Sequence, residues 1–316
     1  MIENHKSSFE PGLIVNQEFF DYPAMQESAK NWLFLSRYRF GTGNFYGRHD
    51  GIQLHNMQFG HADRHEGMMF QGVSPKDCFS IVLLQESSGK VCINGLKMKV
   101  GDIIIIDDLK PYDFSSSDQT VMAIISIKKS LFLENFPPMY PQDKKFKDTK
   151  NLLSKVIEDA WQDVLDNPNQ YQNKEKVQLL EKKIVDAIKC AFKGQTGEGS
   201  HLTEGEQTAL QIKSVLLKSL VENITIESLV KQFGVSYKTL QNSFKSLFGM
   251  TPKHFLTLLK LNHAHEDLEF SELGTTTISE IANKWGFSHL GRFSQKYKEL
   301  FGVLPSETLH KNHSCL

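Results

Sequence analysis

Residues 225–236 read TIESLVKQFGVS, and residues 277–288 read TISEIANKWGFS. The two align without a gap. Each opens on a Thr suited to cap a helix, carries apolar residues four apart along one side, and reaches a Gly just past the helical stretch. The downstream halves repeat as well: FKSLFGMTP at 244–252 and YKELFGVLP at 297–305. There Gly249 and Gly302 end a second helix, and Pro252 and Pro305 start the next element. Helix, tight turn, helix is the layout of a helix-turn-helix, and this chain carries it twice.

In the second helix of each copy, Leu240, Phe244 and Phe248, then Phe293, Tyr297 and Phe301, recur every four residues and face the core. Outward stay Tyr237, Lys238, Gln241, Asn242 and Lys245, with Ser236 ahead of them, and in the other copy His289, Arg292, Gln295, Lys296 and Lys298. Arg can be bidentate to guanine, Gln or Asn to adenine, and Lys can neutralise phosphates. A helix with its side chains is also about as wide as the major groove, roughly 12 Å. No Asp or Glu interrupts either face before Glu299. A plain solvated bundle would show one such surface; two basic faces on a repeated motif favour duplex DNA.

The rest of the composition carries no such signal. The chain has 316 residues, enough for two domains with separate cores. Its formal charge is −1 and its pI is near 6.9, so no global field marks a nucleic-acid binder. From residue 201 onward twelve Lys and Arg face eleven Asp and Glu, so basic character is concentrated rather than abundant. The start, MIENHKSSFEPG, lacks the pattern of a secretory signal, and no run of apolar residues is long enough to span a bilayer, so a cytoplasmic protein is expected with no membrane partner. Cys78, Cys92, Cys190 and Cys315 lie far apart with no C-x-x-C pair, which points to reduced thiols rather than zinc or disulfides.

Between Phe79 and Lys128 the sequence is strand-like: FSIVLLQ, KVCINGLKMKV, DIIIIDD and TVMAIISI, with Asn94-Gly95 as a type I′ hairpin signal. This predicts a β-sandwich or barrel, to which Asn31–Phe40 and Gly51–Phe59 add further strands. After FPPMYPQD the period changes. From Thr149 to Lys193 apolar residues recur three and four apart, broken by DNPNQ, which predicts a helical hairpin. Its stripes serve either to pack on the sandwich or to form a dimer interface. GQTGEGS at 194–200 reads as a flexible linker. The expected organisation is therefore a domain over 1–193, a linker over 194–200 and an all-helical domain over 201–316, an α+β chain.

Residues 207–309 resemble the DNA-binding domain of the AraC/XylS family of bacterial transcription regulators. The resemblance rests on LVKQFGVS with TLQNSFKSLFG, on FLTLLKLNHAHEDL, and on IANKWGFS with FSQKYKELFGVLPS. It implies seven helices, with two helix-turn-helices joined by one long helix from Pro252 to about Leu268, and readers placed in successive major-groove segments. There are departures. Lys260 and His265 stand where the joining helix usually carries arginines, Val230 replaces a small alanine, and Leu309 replaces an arginine at the motif's end. His265 is either a pH-sensitive group or an ordinary surface histidine.

Residues 79–135, through KVCINGLKMKVGDIIIIDDLKPYDF, resemble the cupin-like effector domains of the same family. The function implied is a sequence-specific DNA-binding regulator, an activator by the family's leaning and not an enzyme. Its implied partners are promoter DNA, RNA polymerase, a small-molecule effector of unknown identity and a homodimer mate. No cofactor is implied. A metal-dependent cupin enzyme is the alternative, since His49, His55, His61 and His65 are clustered in sequence. The H-x-H pattern is absent, however, and His61-x-x-x-His65-Glu66 is the nearest substitute. Met68, Met69 and Phe70 either line an apolar pocket or belong to the core.

Overall fold

The computed structural model describes residues 9–29, 31–136, 144–218, 224–271 and 276–311. The start of the chain to Ser8, most of the FPPMYPQD break and Cys315 lie outside them. The β-rich part contains β1 (Ile14–Phe19), α1 (Tyr22–Ser28), β2 (Leu33–Arg39), β3 (Gly47–Gln53), β4 (Met57–Arg64), β5 (Met68–Val73), β6 (Cys78–Ser87), β7 (Val91–Ile93), β8 (Leu96–Met98), β9 (Asp102–Asp107), β10 (Tyr112–Ser116), β11 (Thr120–Lys128), α2 (Lys129–Asn135) and β12 (Lys144–Lys147). Then come the hairpin helices α3 (Leu152–Asp166) and α4 (Lys174–Phe192) and a short strand β13 (Glu198–Gly199). Seven helices complete the described residues: α5 (Glu204–Lys218), α6 (Ile226–Phe233), α7 (Tyr237–Phe248), α8 (Pro252–Phe270), α9 (Ile278–Lys284), α10 (Leu290–Phe301) and α11 (Pro305–Lys311).

The strands form two facing antiparallel sheets, in the order β1-β3-β4-β11-β6-β9-β12-β13 and β2-β5-β10-β7-β8. Why DIIIID is apolar throughout is now clear. Ile103 and Ile105 point to one core, while Ile104 and Ile106 point to another. A strand covered on both faces cannot alternate apolar with polar residues. The same division holds for Ile81 and Leu83 against Val82 and Leu84 in β6. One core fills the space between the sheets. The other lies outside the larger sheet, where Leu153, Ile157, Val164, Ile184 and Ile188 of the hairpin cover it. The hairpin stripes thus pack on the sandwich.

A third core joins the outer face of the smaller sheet to the helical domain. Tyr38, Phe40, Met69 and Cys92 belong to the same apolar cluster as Leu240, Phe244, Phe255 and Leu259. Met68 and Phe70 point inward from β5 and Met69 outward, so the Met68-Met69-Phe70 run serves two cores.

Two local readings change. Gly51–Phe59 is not one strand but the end of β3, a turn and the start of β4. The turn is His55-Asn56, closed by Leu54 N donating to Met57 O at 2.8 Å, and the buried Leu54 and Met57 on either side of it make the run read as continuous strand. Asn94 and Gly95, by contrast, take the positive φ values, 50° and 79°, that the β7–β8 hairpin needs. The 194–200 stretch is fastened rather than free. Glu198 and Gly199 pair with Lys145 and Lys144, and the Gln195 amide bonds Lys147 N at 2.9 Å and Lys147 O at 2.7 Å. Backbone groups left without partners beside a sheet edge take the ladder bonds on offer.

Glu206 ties three elements across the domain boundary. Its carboxylate accepts from Lys97 Nζ of β8 at 2.8 Å, Ser246 Oγ of α7 at 2.6 Å and Thr203 N at 3.0 Å. Burial alone would raise its pKa; the hydrogen bonds from Lys97, Ser246 and Thr203 outweigh burial and bring it from 4.5 to about 2. A carboxylate with a lowered folded-state pKa stabilises fully above its unfolded pKa and loses that contribution as pH falls. Urea midpoints measured between pH 4.5 and about 2 should therefore fall steeply for the native chain and less steeply for Glu206→Gln. Equal slopes would remove Glu206 from this role.

Candidate nucleic-acid interface

Each helix-turn-helix begins with the cap its sequence announced. Ser228 N donates to Thr225 Oγ1 at 3.1 Å, and Thr225 N donates back to Ser228 Oγ at 3.3 Å. In the second copy Glu280 N donates to Thr277 Oγ1 at 3.2 Å while Thr277 N donates to Glu280 Oε2 at 2.7 Å. These are two capping boxes. Gly234 and Gly286 make the turns at φ 63° and 76°, where a side chain would be strained. Ser236 then caps α7, accepting from Thr239 N at 3.0 Å. The second reader differs, because His289 at the start of α10 makes no side-chain cap.

Leu240, Phe244, Phe248, Phe293, Tyr297 and Phe301 are all buried. Outside them, Ser236, Tyr237, Lys238, Asn242 and Lys245 are exposed and Gln241 is half-buried. On α10, His289, Arg292, Gln295, Lys296 and Lys298 are all exposed. Lys238, Gln241, Asn242 and Lys245 fall on one stripe of α7, as Arg292, Gln295 and Lys296 do on α10. Lys298 lies about a third of a turn away from that stripe. Glu299 shares it, and accepts from Gln295 Nε2 at 3.0 Å, which holds Gln295 in place.

The C-terminal ends of both readers rest on the β-domain. Gly249 sits against Ser117 and Gly302 against Asn44, and Gly43 N donates to Glu299 O at 2.7 Å. Lys245 O and Lys298 O accept from the Gly249 and Gly302 amides that close the helices. The N-terminal turns are the free ends.

Three substitutions against the resemblance acquire physical reasons. Leu309 is buried in the helical core, so an apolar residue there packs rather than contacts a backbone phosphate. Lys260 is half-buried with Nζ near Gly286, and burial lowers its pKa. His265 stacks on Phe301 at 4.1 Å, its Nδ1 is bonded to the Tyr297 hydroxyl, and its Nε2 lies 3.2 Å from Glu269. It braces α10 from beneath rather than standing on open surface. His254, which no motif marks, is exposed on the first turn of α8. Partial burial, then the Lys296 charge, holds its imidazole below the ordinary value. The Thr251-Pro252 start of that helix was legible, but not which residues of its first turn would approach α10.

The histidines of the β-domain are held apart. His61 Nδ1 meets Asp50 Oδ1 at 2.7 Å, His65 Nε2 meets Asp63 Oδ2 at 3.0 Å, and His49 is buried against Ser28 Oγ at 2.7 Å. Among the described residues no group of three His, Cys, Asp or Glu is placed to hold a metal ion. No helix among them is long and apolar enough to cross a membrane.

Two capped helix-turn-helices on one joining helix define a DNA-binding helical domain. The chain is similar to several known proteins. A family model described as a helix-turn-helix domain matches residues 229–311. A probable thc operon regulatory protein of Rhodococcus erythropolis is 38% identical over 86 residues, spanning 27% of this chain and 26% of that protein. A XylDLEGF operon transcriptional activator 2 of Pseudomonas putida is 31% identical over 106 residues, 34% of this chain and 68% of the relative. Among solved structures, the AraC-like transcriptional activator CuxR matches over 71% of this chain and 82% of its own, at 15% identity and a TM-score of 0.39. The chain belongs to the AraC/XylS family of transcription regulators.

Thr→Ala at a helix N-cap costs about 1 kcal/mol. Thr225→Ala and Thr277→Ala should each lower stability in urea unfolding by about that amount, because each cap also anchors its box partner. A change within about 0.3 kcal/mol for both would show that the boxes do not hold the motif entrances.

Proposed function

We propose that the chain is a transcription activator that reads promoter DNA with α7 and α10 together and is controlled by a small molecule held in its β-domain. The observation that supports this most is the doubled motif, with exposed basic and amide side chains on both second helices and buried aromatic residues beneath them. In this reading Arg292, Asn242 and Gln241 contact base edges, while Lys238, Lys245, Lys296 and Lys298 neutralise phosphates. Ser236, Tyr237 and His289 begin the readers at their free ends, and Gln295 is aimed by Glu299. Promoter DNA and RNA polymerase are the partners required, in the cytoplasm. A homodimer would use the exposed side of the α3–α4 hairpin, where Leu152, Leu165 and Leu179 stand.

Control needs an effector that binds two arrangements of the molecule unequally, typically worth about 1–3 kcal/mol. The smaller sheet supports such a link. Its inner face lines the barrel, and its outer face carries Tyr38, Phe40, Met69 and Cys92 into the helical core. The Asn262 amide spans the same boundary, accepting from Arg39 N at 2.8 Å and donating to Arg39 O at 2.9 Å.

Arg292→Ala should cost roughly 1–3 kcal/mol on the specific site and relax preference at one base pair, whereas Lys245→Ala should weaken all sequences alike and lower the salt slope by about one. Footprinting on the chain's own upstream region should protect roughly two helical turns on one face. Equal losses for Arg292→Ala on specific and random DNA would remove it as a base reader.

A further inference from the structure

This inference rests on the effector reading of the β-domain and names the class of molecule. At the end of β4, Arg64 points between the two sheets and is only 5% exposed. Its guanidinium lies 5.4 Å from the Phe70 ring centre and 5.8 Å from that of Phe114. No hydrogen bond reaches its Nη1, and among the described residues no carboxylate comes within ion-pair distance of it. Burial pulls its pKa below the ordinary guanidinium value, yet arginine does not give up its proton in proteins. The neighbouring phenols Tyr22 and Tyr112 have their pKa values raised by burial and stay neutral. An isolated buried cation is among the costliest groups a fold can hold, and aromatic faces offset only part of that cost.

The space in front of Arg64 is hollow. An inner chamber of about 40 Å³ is walled by Trp32, Phe34, Phe70, Tyr112 and Phe114 together with Arg64. It shares Ala29, Trp32, His49 and Ile124 with a more open outer chamber of about 100 Å³. Gly51 and Gly60, opposite each other in β3 and β4, and Ala62 are among the residues that line the outer chamber. Burial, reinforced by the Arg64 charge, lowers the pKa of His49 to about 3, so the imidazole is neutral. Asp50, the acid on the outer chamber, is already engaged by His61 at 2.7 Å. Among the described residues lining the inner chamber, Arg64 alone brings a formal charge at neutral pH.

We propose that this cavity takes a small monocarboxylic acid, its carboxylate on the Arg64 guanidinium and its apolar body among Trp32, Phe34, Phe70 and Phe114. A planar guanidinium with free donors matches a carboxylate in charge and in fork geometry. The aromatic walls select against a second charge or a polyhydroxylated body. The size is bounded too, since an apolar cavity of about 150 Å³ holds one benzene-sized ring.

The test titrates the full-length protein with cyclohexanecarboxylate and, in parallel, with cyclohexanecarboxamide, its neutral counterpart of nearly the same shape, using calorimetry and thermal melts. The acid should bind at least about tenfold more tightly than the amide, and Arg64→Met should abolish that preference. Arg64→Met without ligand should melt no lower than the native chain, because it removes an unpaired buried charge. Equal affinity for acid and amide, or no binding of either up to the solubility limit, would overturn the proposal whether or not the variant folds. A fall in melting temperature on Arg64→Met, with no acid preference in the native chain, would make Arg64 a brace of the barrel and overturn it as well. Promoter binding measured in the same samples separates the two readings. DNA binding intact with no acid preference sinks this proposal alone, whereas tight acid binding that leaves DNA affinity unmoved supports the site and sinks the regulatory reading.

Discussion

Helix α8 buries residues at positions spread around its axis, and both halves of the molecule are built against it. Phe255 packs edge-on to Phe40 of the β-domain at 5.3 Å and to Phe244 of α7 at 5.5 Å. Further along, His263 lies edge-on to Tyr38 at 5.4 Å and stacks on Trp285, beside α9, at 4.9 Å. Leu258, Leu259, Leu261, Ala264 and Leu268 are buried between these contacts. A helix whose buried residues are not gathered on one stripe has to be packed from more than one side. One rod therefore sets the position of each helix-turn-helix and the position of both against the sheet.

Enclosure of this kind makes the smaller sheet a thin partition. Its strands carry one set of side chains into the barrel and the alternate set into the helical core, because successive residues of a strand point to opposite faces. Close-packed interiors transmit strain instead of absorbing it. Inner-face rings and outer-face side chains are therefore neighbours along the same strands, with no hinge or loop in between. The fastened 194–200 stretch acts in the same direction, since a chain tied to the sheet edge at Glu198–Gly199 leaves little slack between the domains.

What the sequence made legible was local. The helix-turn-helices could be read because their signals, Thr caps, apolar residues four apart and closing glycines, sit within a dozen residues of one another. The DIIIIDD and TVMAIISI runs could be read as strands for the same reason. What depends on distant residues could not. Leu309 and His265 looked like exposed positions missing an arginine, and only the fold places them in the core and beneath α10. The β3–β4 turn at His55-Asn56 was missed because the buried Leu54 and Met57 flanking it read as strand. Arg64, one cation in an ordinary-looking HADRHEG, gave no sign of lying between two sheets. The histidines around it drew attention that the geometry does not reward.

Two buried cations show how the partition connects its faces. Lys213 of α5 is 3% exposed, is paired with Asp113, and lies 5.3 Å from the Phe248 ring at the end of α7. Its charge is answered within the chain. Arg64 is equally hidden and is answered only by ring faces. Both depend on β10, where Tyr112 and Phe114 face the cavity and Asp113 between them faces Lys213. Phe114 stacks on Phe70 at 4.8 Å directly beside the Arg64 guanidinium. An anion settling on Arg64 would draw the guanidinium from those rings, and any adjustment of β10 would carry Asp113 with it. Under the proposed effector reading, Phe114, Asp113 and Lys213 lie in line between Arg64 and Phe248 at the end of α7.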